Sequence, residues 1–231
     1  MGNLVNLLNS QKMNLIVSLP ANSMDHVKAA AEGGADVIKV HMNVEHRASG
    51  NSFGSFDDNE GFFQEMNGYF SGITGVVPGD SLDKVKQPDI VSLKKIGFDF
   101  VSIYSHTAPA WLLEDHSLDK MIAISNKYTD YELHSFNAAN IQIVETSIMN
   151  PDDYGTSLSI QDILHYQYLL SKVNGPIVIP TQKKITLQDL TTLYKIGVHG
   201  FMIGAVVTGK TADQLYEATK AYKEEIERLR R

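Results

Sequence analysis

The stretch LYKIGVHGFMI, residues 193–203, joins the end of a helical pattern to the start of a strand pattern. Gly197 provides a helix stop, and the apolar run after it has the composition of a buried strand. LKKIGFDFVSI at 93–103 follows the same order, and AAEGGADVIKV at 30–40 is a looser third copy. A helix end, a glycine and a strand form the repeating unit of an α/β fold. Two origins of the repeat stay open: convergence of αβ units on one pattern, or an old duplication.

The alternation of strands and helices extends over nearly the whole chain. Eight segments are predicted to be strands: LIVSLP (15–20), DVIKVH (36–41), SGITGVV (71–77), FDFVSIY (98–104), DKMIAIS (119–125), IQIVETS (141–147), GPIVIP (175–180) and VHGFMIGAVV (198–207). Helices are predicted between them, including a short one at 107–115 and one at 159–173 with Ile160 and Leu164 on its apolar face. Eight such units predict one (β/α)8 TIM-barrel domain over residues 1–231. An open doubly wound sheet is the alternative, but no glycine-rich dinucleotide loop follows the first strand.

Composition narrows the class of protein. The 231 residues are 43% hydrophobic and 20% charged, which is ordinary for a soluble globular protein. The net charge of −7 argues against a nucleic-acid partner, and the lack of cysteine excludes disulfides and Cys-based zinc sites. No apolar run has the length of a membrane span, and no signal peptide is recognisable. We therefore expect a cytoplasmic protein with no membrane partner.

The second predicted strand carries two polar residues that a pure core strand would not hold. Strand periodicity puts Lys39 and His41 on the same face as Val37, pointing into the barrel. A buried ammonium needs a partner, and Glu145 near the end of the sixth strand is the candidate. The sequence leaves open which face of that strand points inward. Lys39, Glu145 and His41 are predicted to be catalytic; the alternatives are an ion pair without a chemical role and a polar cap at the strand end.

The rim of the barrel can be located from the repeat. Counting seven residues on from Gly34, Gly97 and Gly197 gives His41, Tyr104 and Gly204. If the units superpose, these three lie at one rim, where the active sites of α/β barrels are found. The polar segment 43–55 follows His41 and is predicted to be a long loop, in which His46 and Arg47 could hold an anion. This segment is either a lid over the substrate or an ordinary surface loop.

The end of the chain predicts a phosphate site. The seventh strand runs into PTQKKIT and the eighth into IGAVVTGK, and barrels commonly bind phosphate with the loops after these two strands. The N–H groups of Gly204, Ala205 and Val206 would hold the anion, with positive charge from Lys183 or Lys184. The alternative is that Gly204 serves a tight turn.

These same segments resemble the ribulose-phosphate-binding barrel superfamily. GVHGFMIGAVVTG (197–209), QKKIT (182–186) and the eight-unit layout are most similar to N-acylmannosamine-6-phosphate 2-epimerases. The resemblance implies a phosphorylated sugar substrate, with Gln182 beside it. Two family features are missing, because Gln182 stands where the family has a Glu, and TGVVPGD carries no lysine on the third strand.

Two further families resemble the chain in part. HMN at 41–43 is similar to the His-x-Asp metal motif of pentose-phosphate 3-epimerases, but Asn43 replaces the Asp and the other metal positions are absent. We therefore expect no metal and no cofactor. Keto-deoxy-phosphogluconate-type aldolases pair a Schiff-base Lys with a Glu, and here Lys39 and Glu145 would take the reverse placement.

Together these patterns predict an isomerase or epimerase that moves protons next to a carbonyl of a phosphorylated small metabolite. A class I aldolase with a Schiff base at Lys39 is the second hypothesis. A non-catalytic phosphometabolite-binding barrel is the third. A homodimer is expected by analogy with similar barrels.

Overall fold

The computed structural model describes residues 2–10, 13–46, 48–139 and 141–231. The strands are β1 Asn14–Ser18, β2 Val37–His41, β3 Val44–His46, β4 Asn51–Phe53, β5 Ile73–Val77, β6 Phe100–Tyr104, β7 Asp119–Ser125, β8 Ile143–Ser147, β9 Ile177–Pro180 and β10 Gly200–Ile203. Eight of them close into a parallel barrel in the order β1, β2, β5, β6, β7, β8, β9, β10 and back to β1. The predicted (β/α)8 barrel is confirmed, and β3 and β4 form a separate antiparallel hairpin.

The helices cover the outside of the barrel and one of its ends. They are α1 Asn3–Ser10, α2 Met24–Glu32, α3 Phe56–Tyr69, α4 Gln87–Ile96, α5 Asp130–Ala138, α6 Ile160–Lys172, α7 Leu187–Lys195, α8 Ala205–Thr208 and α9 Ala212–Arg230. The short helix predicted at 107–115 is instead two 3-10 turns, Ser105–Thr107 and Ala110–Leu113. Pro109 lies between them, and it lacks an N–H and disfavours helical geometry in the residue before it. None of the described helices is long and apolar enough to cross a membrane.

The three stop glycines of the repeat share one backbone conformation. The φ angles of Gly34, Gly97 and Gly197 are 93°, 113° and 91°, in the left-handed region that suits glycine at a helix end. Each glycine turns the chain from a helix into the next barrel strand. The repeat in the sequence is therefore a repeat of backbone geometry.

The residue two positions after each stop glycine also has a repeated role. Asp36, Asp99 and His199 stand there, and each side chain accepts a hydrogen bond from a backbone N–H of the neighbouring strand. The donors are Leu15 at 2.9 Å to Asp36, Thr74 at 2.9 Å to Asp99, and Ile177 at 3.2 Å to His199 Nδ1. These bonds fasten adjacent strands at the amino-terminal end of the barrel.

Alternate strand residues face inward and outward, as predicted. In β2, Val37 belongs to an apolar cluster inside the barrel, while Ile38 and Val40 pack against the helices. In β8, Ile143 faces inward and Val144 outward, which turns Glu145 toward the barrel axis. The strand face that the sequence left open is the one that brings Glu145 inside.

Helix α1 closes the amino-terminal end of the barrel. Its Leu4, Val5 and Leu8 join the inner apolar cluster, and the N–H groups of Leu4 and Val5 donate to Asp119 Oδ2 at 3.0 and 3.2 Å. Asp119 opens β7, so one carboxylate holds the first turn of the helix against the strand. This apolar plug leaves the carboxyl-terminal end of the barrel for the polar residues.

The apolar face predicted for α6 is wrong in part. Ile160 and Leu164 are 81% and 59% exposed, whereas Tyr166 and Leu169 are buried. The helix carries apolar residues on more than one side, so spacing alone does not determine its buried stripe. The apolar face of α9 is unambiguous, and its Tyr222 and Ile226 are buried against the barrel.

Candidate active site

A cavity of about 390 Å³ opens at the carboxyl-terminal end of the barrel. Its wall is formed by strand ends and by the loops that follow them. Nine residues predicted from the sequence line it: Lys39, His41, His46, Tyr104, Glu145, Gln182, Gly204, Ala205 and Val206. The rim positions derived from the repeat therefore meet around one cavity. Their roles in binding or catalysis remain predictions.

Lys39 and Glu145 meet inside this cavity. Lys39 Nζ lies 3.4 Å from Glu145 Oε2, and each side chain is only 7% exposed. Lys39 stands on β2 and Glu145 on β8, so the barrel closure brings together residues separated by 106 positions in the chain. At such burial the electrostatic interaction is much stronger than between exposed charges.

Two serines that the sequence analysis missed complete the surroundings of Glu145. Ser102 Oγ donates to Glu145 Oε2 at 2.8 Å, and Ser147 Oγ donates to Oε1 at 2.7 Å. Both carboxylate oxygens are therefore hydrogen-bonded, which fixes the plane of the carboxylate. Strand periodicity could have found them, because Ser147 is two residues after Glu145 and Ser102 is two before Tyr104.

His41 is packed between rings at the top of β2. Its ring centroid lies 4.4 Å from that of His46 and 4.7 Å from that of Phe53. Burial, and then the neighbouring His46 and Lys39, hold the pKa of His41 well below its ordinary value. The imidazole is therefore neutral near pH 7. Its Nδ1 atom is buried and has no hydrogen-bond partner among the described residues.

The segment predicted to be a long loop is the β3–β4 hairpin, which covers one side of the cavity. His46 Nδ1 is 2.8 Å from Ser49 Oγ, and Asn51 Nδ2 donates to the carbonyl oxygen of Pro20 at 2.8 Å. Burial chiefly, together with Lys39, lowers the pKa of His46 to about 4. A neutral His46 does not supply the positive charge predicted for this segment. Arg47 lies outside the described residues.

Gln182 and Tyr104 connect the loop after β8 to the cavity. Gln182 Oε1 accepts the N–H of Met149 at 3.1 Å, and its amide nitrogen donates to the Tyr154 hydroxyl. Tyr104 is hydrogen-bonded to Tyr154 and Ser147, and burial followed by the charge of Glu145 raises its pKa. Gln182 thus holds the loop in place, and Tyr104 keeps its proton.

The predicted eighth strand is too long. It ends at Ile203, and the short helix α8 begins at Ala205. The first N–H groups of a helix have no acceptor within it, so those of Ala205 and Val206 can bind an anion in the cavity. The N–H of Gly204 donates to Thr181 Oγ1 at 3.0 Å. Two of the three predicted N–H donors therefore remain for a ligand.

Gly204 is not required by its own backbone. Its φ and ψ are −149° and −172°, an extended conformation that any residue adopts. A Cβ atom built there would find its nearest neighbour at 3.8 Å, so the glycine leaves open space beside the cavity. The tight turn considered from the sequence is not what demands glycine at this position.

The structure does not bring Lys183 and Lys184 to the cavity. Lys183 Nζ points to α6, donating to Thr156 Oγ1 at 3.0 Å and lying 3.7 Å from Asp162 Oδ2. Lys184 is exposed and lies outside the cavity wall. Consecutive residues of an extended chain point in opposite directions, and here the cavity side belongs to Gln182.

Metal ligands are not grouped in the described part of the chain. A search of those residues finds no set of three or more His, Asp or Glu side chains that could hold an ion. Asn43, in the segment compared with a metal motif, donates through Nδ2 to the carbonyl oxygens of Pro78 and Lys84. It fastens the base of the hairpin.

Solved structures with this fold include several enzymes. Thiamine phosphate pyrophosphorylase from Pyrococcus furiosus is 15% identical, with a TM-score of 0.65 over 98% of this chain and 99% of that one. KGPDC from Streptococcus mutans, in complex with a phosphorylated ligand, is also 15% identical, with a TM-score of 0.66 over 95% and 99%. Mycobacterium tuberculosis tryptophan synthase is 14% identical, with a TM-score of 0.73 over 97% and 98%.

These neighbours are barrels of the ribulose-phosphate-binding superfamily. At such low identity the likeness shows a shared fold. No protein-family model and no curated protein matches the sequence. The nearer likeness to N-acylmannosamine-6-phosphate 2-epimerases stays a prediction.

Proposed function

We propose that this protein is an enzyme acting on a phosphorylated small sugar or keto metabolite, and that it is an isomerase or epimerase. The observation that carries the proposal is the buried ion pair of Lys39 and Glu145 in the wall of the cavity. Charged pairs inside a barrel are costly to desolvate, so their presence beside an open cavity favours a chemical role.

The pair suits proton transfer next to a carbonyl. Glu145 is held by two serine hydroxyls and can take a proton from the carbon beside the carbonyl. The ammonium of Lys39 can stabilise the negative charge that then develops on the carbonyl oxygen. The neutral His41 lies near by and cannot supply a cation at pH 7. Its part in the reaction is that of a hydrogen-bonding group.

A phosphate group fits the opposite part of the cavity wall. The N–H groups of Ala205 and Val206 and the open space at Gly204 form an anion site without a lysine. Structural neighbours support this assignment, because one is a thiamine phosphate pyrophosphorylase and another is in complex with a phosphorylated ligand.

The class I aldolase remains the second candidate, since Lys39 is an amine in the cavity wall. A Schiff-base nucleophile must be uncharged, and Lys39 would have to give up its pairing with Glu145. The ion pair therefore favours proton transfer over Schiff-base formation. A non-catalytic binding protein would use the anion site alone.

The test is solvent exchange in D₂O with ribulose 5-phosphate, fructose 6-phosphate and N-acetylmannosamine 6-phosphate. We expect deuterium to enter one of them without carbon–carbon cleavage, and the rate to fall at least a hundredfold in Glu145→Gln and Lys39→Met. Lys94→Met, an exposed lysine on α4, is the matched control and should keep the wild-type rate. Borohydride treatment that adds substrate mass at Lys39 would instead establish the aldolase. Exchange that persists in Glu145→Gln would refute the proton-transfer role.

A further inference from the structure

Two buried side-chain atoms have no hydrogen-bond partner among the described residues: His41 Nδ1 and the Tyr166 hydroxyl. Buried polar atoms in proteins are nearly always hydrogen-bonded, so each raises the question of a missing partner. The two differ in position. His41 lies in the wall of the cavity, whereas Tyr166 belongs to α6 and is not part of that wall.

The surroundings of His41 restrict what its partner can be. His46 and Phe53 lie against the ring and offer it no acceptor there, and Lys39 is engaged with Glu145. The neutral ring has one N–H donor and one acceptor nitrogen. Such a ring gives no charge attraction to phosphate or carboxylate. An uncharged hydroxyl, which both donates and accepts, matches it in either tautomer.

We propose that His41 Nδ1 is a specificity-determining contact that receives an uncharged hydroxyl group of the ligand, at a point separate from the phosphate. The ligand class is then a phosphorylated polyol. The inference rests on the proposed function, because it takes the cavity to be the substrate site. It goes further in naming the group by which the site tells a sugar phosphate from phosphate alone.

The experiment compares two substitutions that each remove one unpartnered polar atom and keep an aromatic ring. His41→Phe preserves the ring contacts of His41, and Tyr166→Phe is its matched control. Unfolding midpoints should stay level or rise in both, because neither change removes a hydrogen bond. Calorimetry with inorganic phosphate and the three sugar phosphates above then measures binding. His41→Leu is a second variant in case phenylalanine does not fit.

We expect wild type to bind at least one sugar phosphate tenfold or more tightly than inorganic phosphate. His41→Phe or His41→Leu should lose at least tenfold for that sugar and leave phosphate binding unchanged, and Tyr166→Phe should change neither. Equal weakening of both ligands, wild-type affinity in the His41 variants, or a large loss of stability in both would overturn the contact. Phosphate binding without preference for any sugar phosphate overturns this inference alone. Binding of no phosphorylated ligand overturns the proposed function as well.

Discussion

Removal of one partner of the Lys39–Glu145 pair should destabilise the protein measurably. In Lys39→Met the carboxylate of Glu145 stays inside the barrel with two serine donors and no counter-charge. Breaking a buried ion pair from one side costs about 3–5 kcal/mol. The two remaining hydrogen bonds and the adjoining cavity place the expected cost at the lower end, about 3 kcal/mol. For a chain of this length that corresponds to a Tm lower by roughly 6–12 °C.

The double substitution distinguishes a desolvated pair from a screened one. Glu145→Gln should cost about the same as Lys39→Met, since it leaves a buried ammonium facing an amide. The double variant contains neither charge, so we expect it to be at least about 2 kcal/mol more stable than additive costs predict. Urea unfolding followed by circular dichroism at pH 7.5 gives all four free energies of unfolding. Additivity within about 0.5 kcal/mol would refute a desolvated ion pair.

Three further predictions concern the hairpin, the barrel interior and the loop after β8. The pKa of His46 is lowered from 6.5 to about 4, so the unfolded chain binds the proton more tightly; stability is complete above about pH 6.5 and should fall by up to roughly 3 kcal/mol toward pH 4, and His46→Phe should reduce that loss in acid urea titrations. Gly75→Ala puts a Cβ atom 2.1 Å from a buried phenyl ring and should cost about 2–3 kcal/mol in urea unfolding, whereas Gly204→Ala should unfold like wild type and only weaken phosphate binding; the reverse order would contradict both assignments. Gln182→Leu removes two hydrogen bonds to the loop at 148–157, so hydrogen exchange there should accelerate about tenfold, and unchanged exchange would show that other contacts hold the loop.

Much of the fold could be predicted from local patterns, because each αβ unit signals its own boundaries. Stop glycines such as Gly97 need a left-handed backbone, and that need is a property of the residue itself. Period-two alternation placed Lys39 and His41 inside the barrel for a similar reason, since side chains of a strand alternate in direction. The pattern failed where two conformations share one composition, as at 204–207, where an apolar run continues from strand into helix.

The partners of the site residues depend on contacts between distant parts of the chain. Glu145 could be named as a candidate for Lys39, but only barrel closure brings β2 and β8 within ion-pair distance. Lys183 illustrates the opposite case. Its position next to Gln182 predicted a phosphate contact, yet the side chain reaches Thr156 and Asp162 on the other side of the backbone.

The sequence by itself determined the order of strands and helices, the rim of the barrel and the inward direction of Lys39. These follow from backbone preferences and periodicity, which act over a few neighbouring residues. The tertiary structure decided that Ser102 and Ser147 hold Glu145, that a hairpin packs on His41, and that His41 Nδ1 has no partner among the described residues. Such contacts are set by how the strands close around the barrel, and no local pattern encodes that closure.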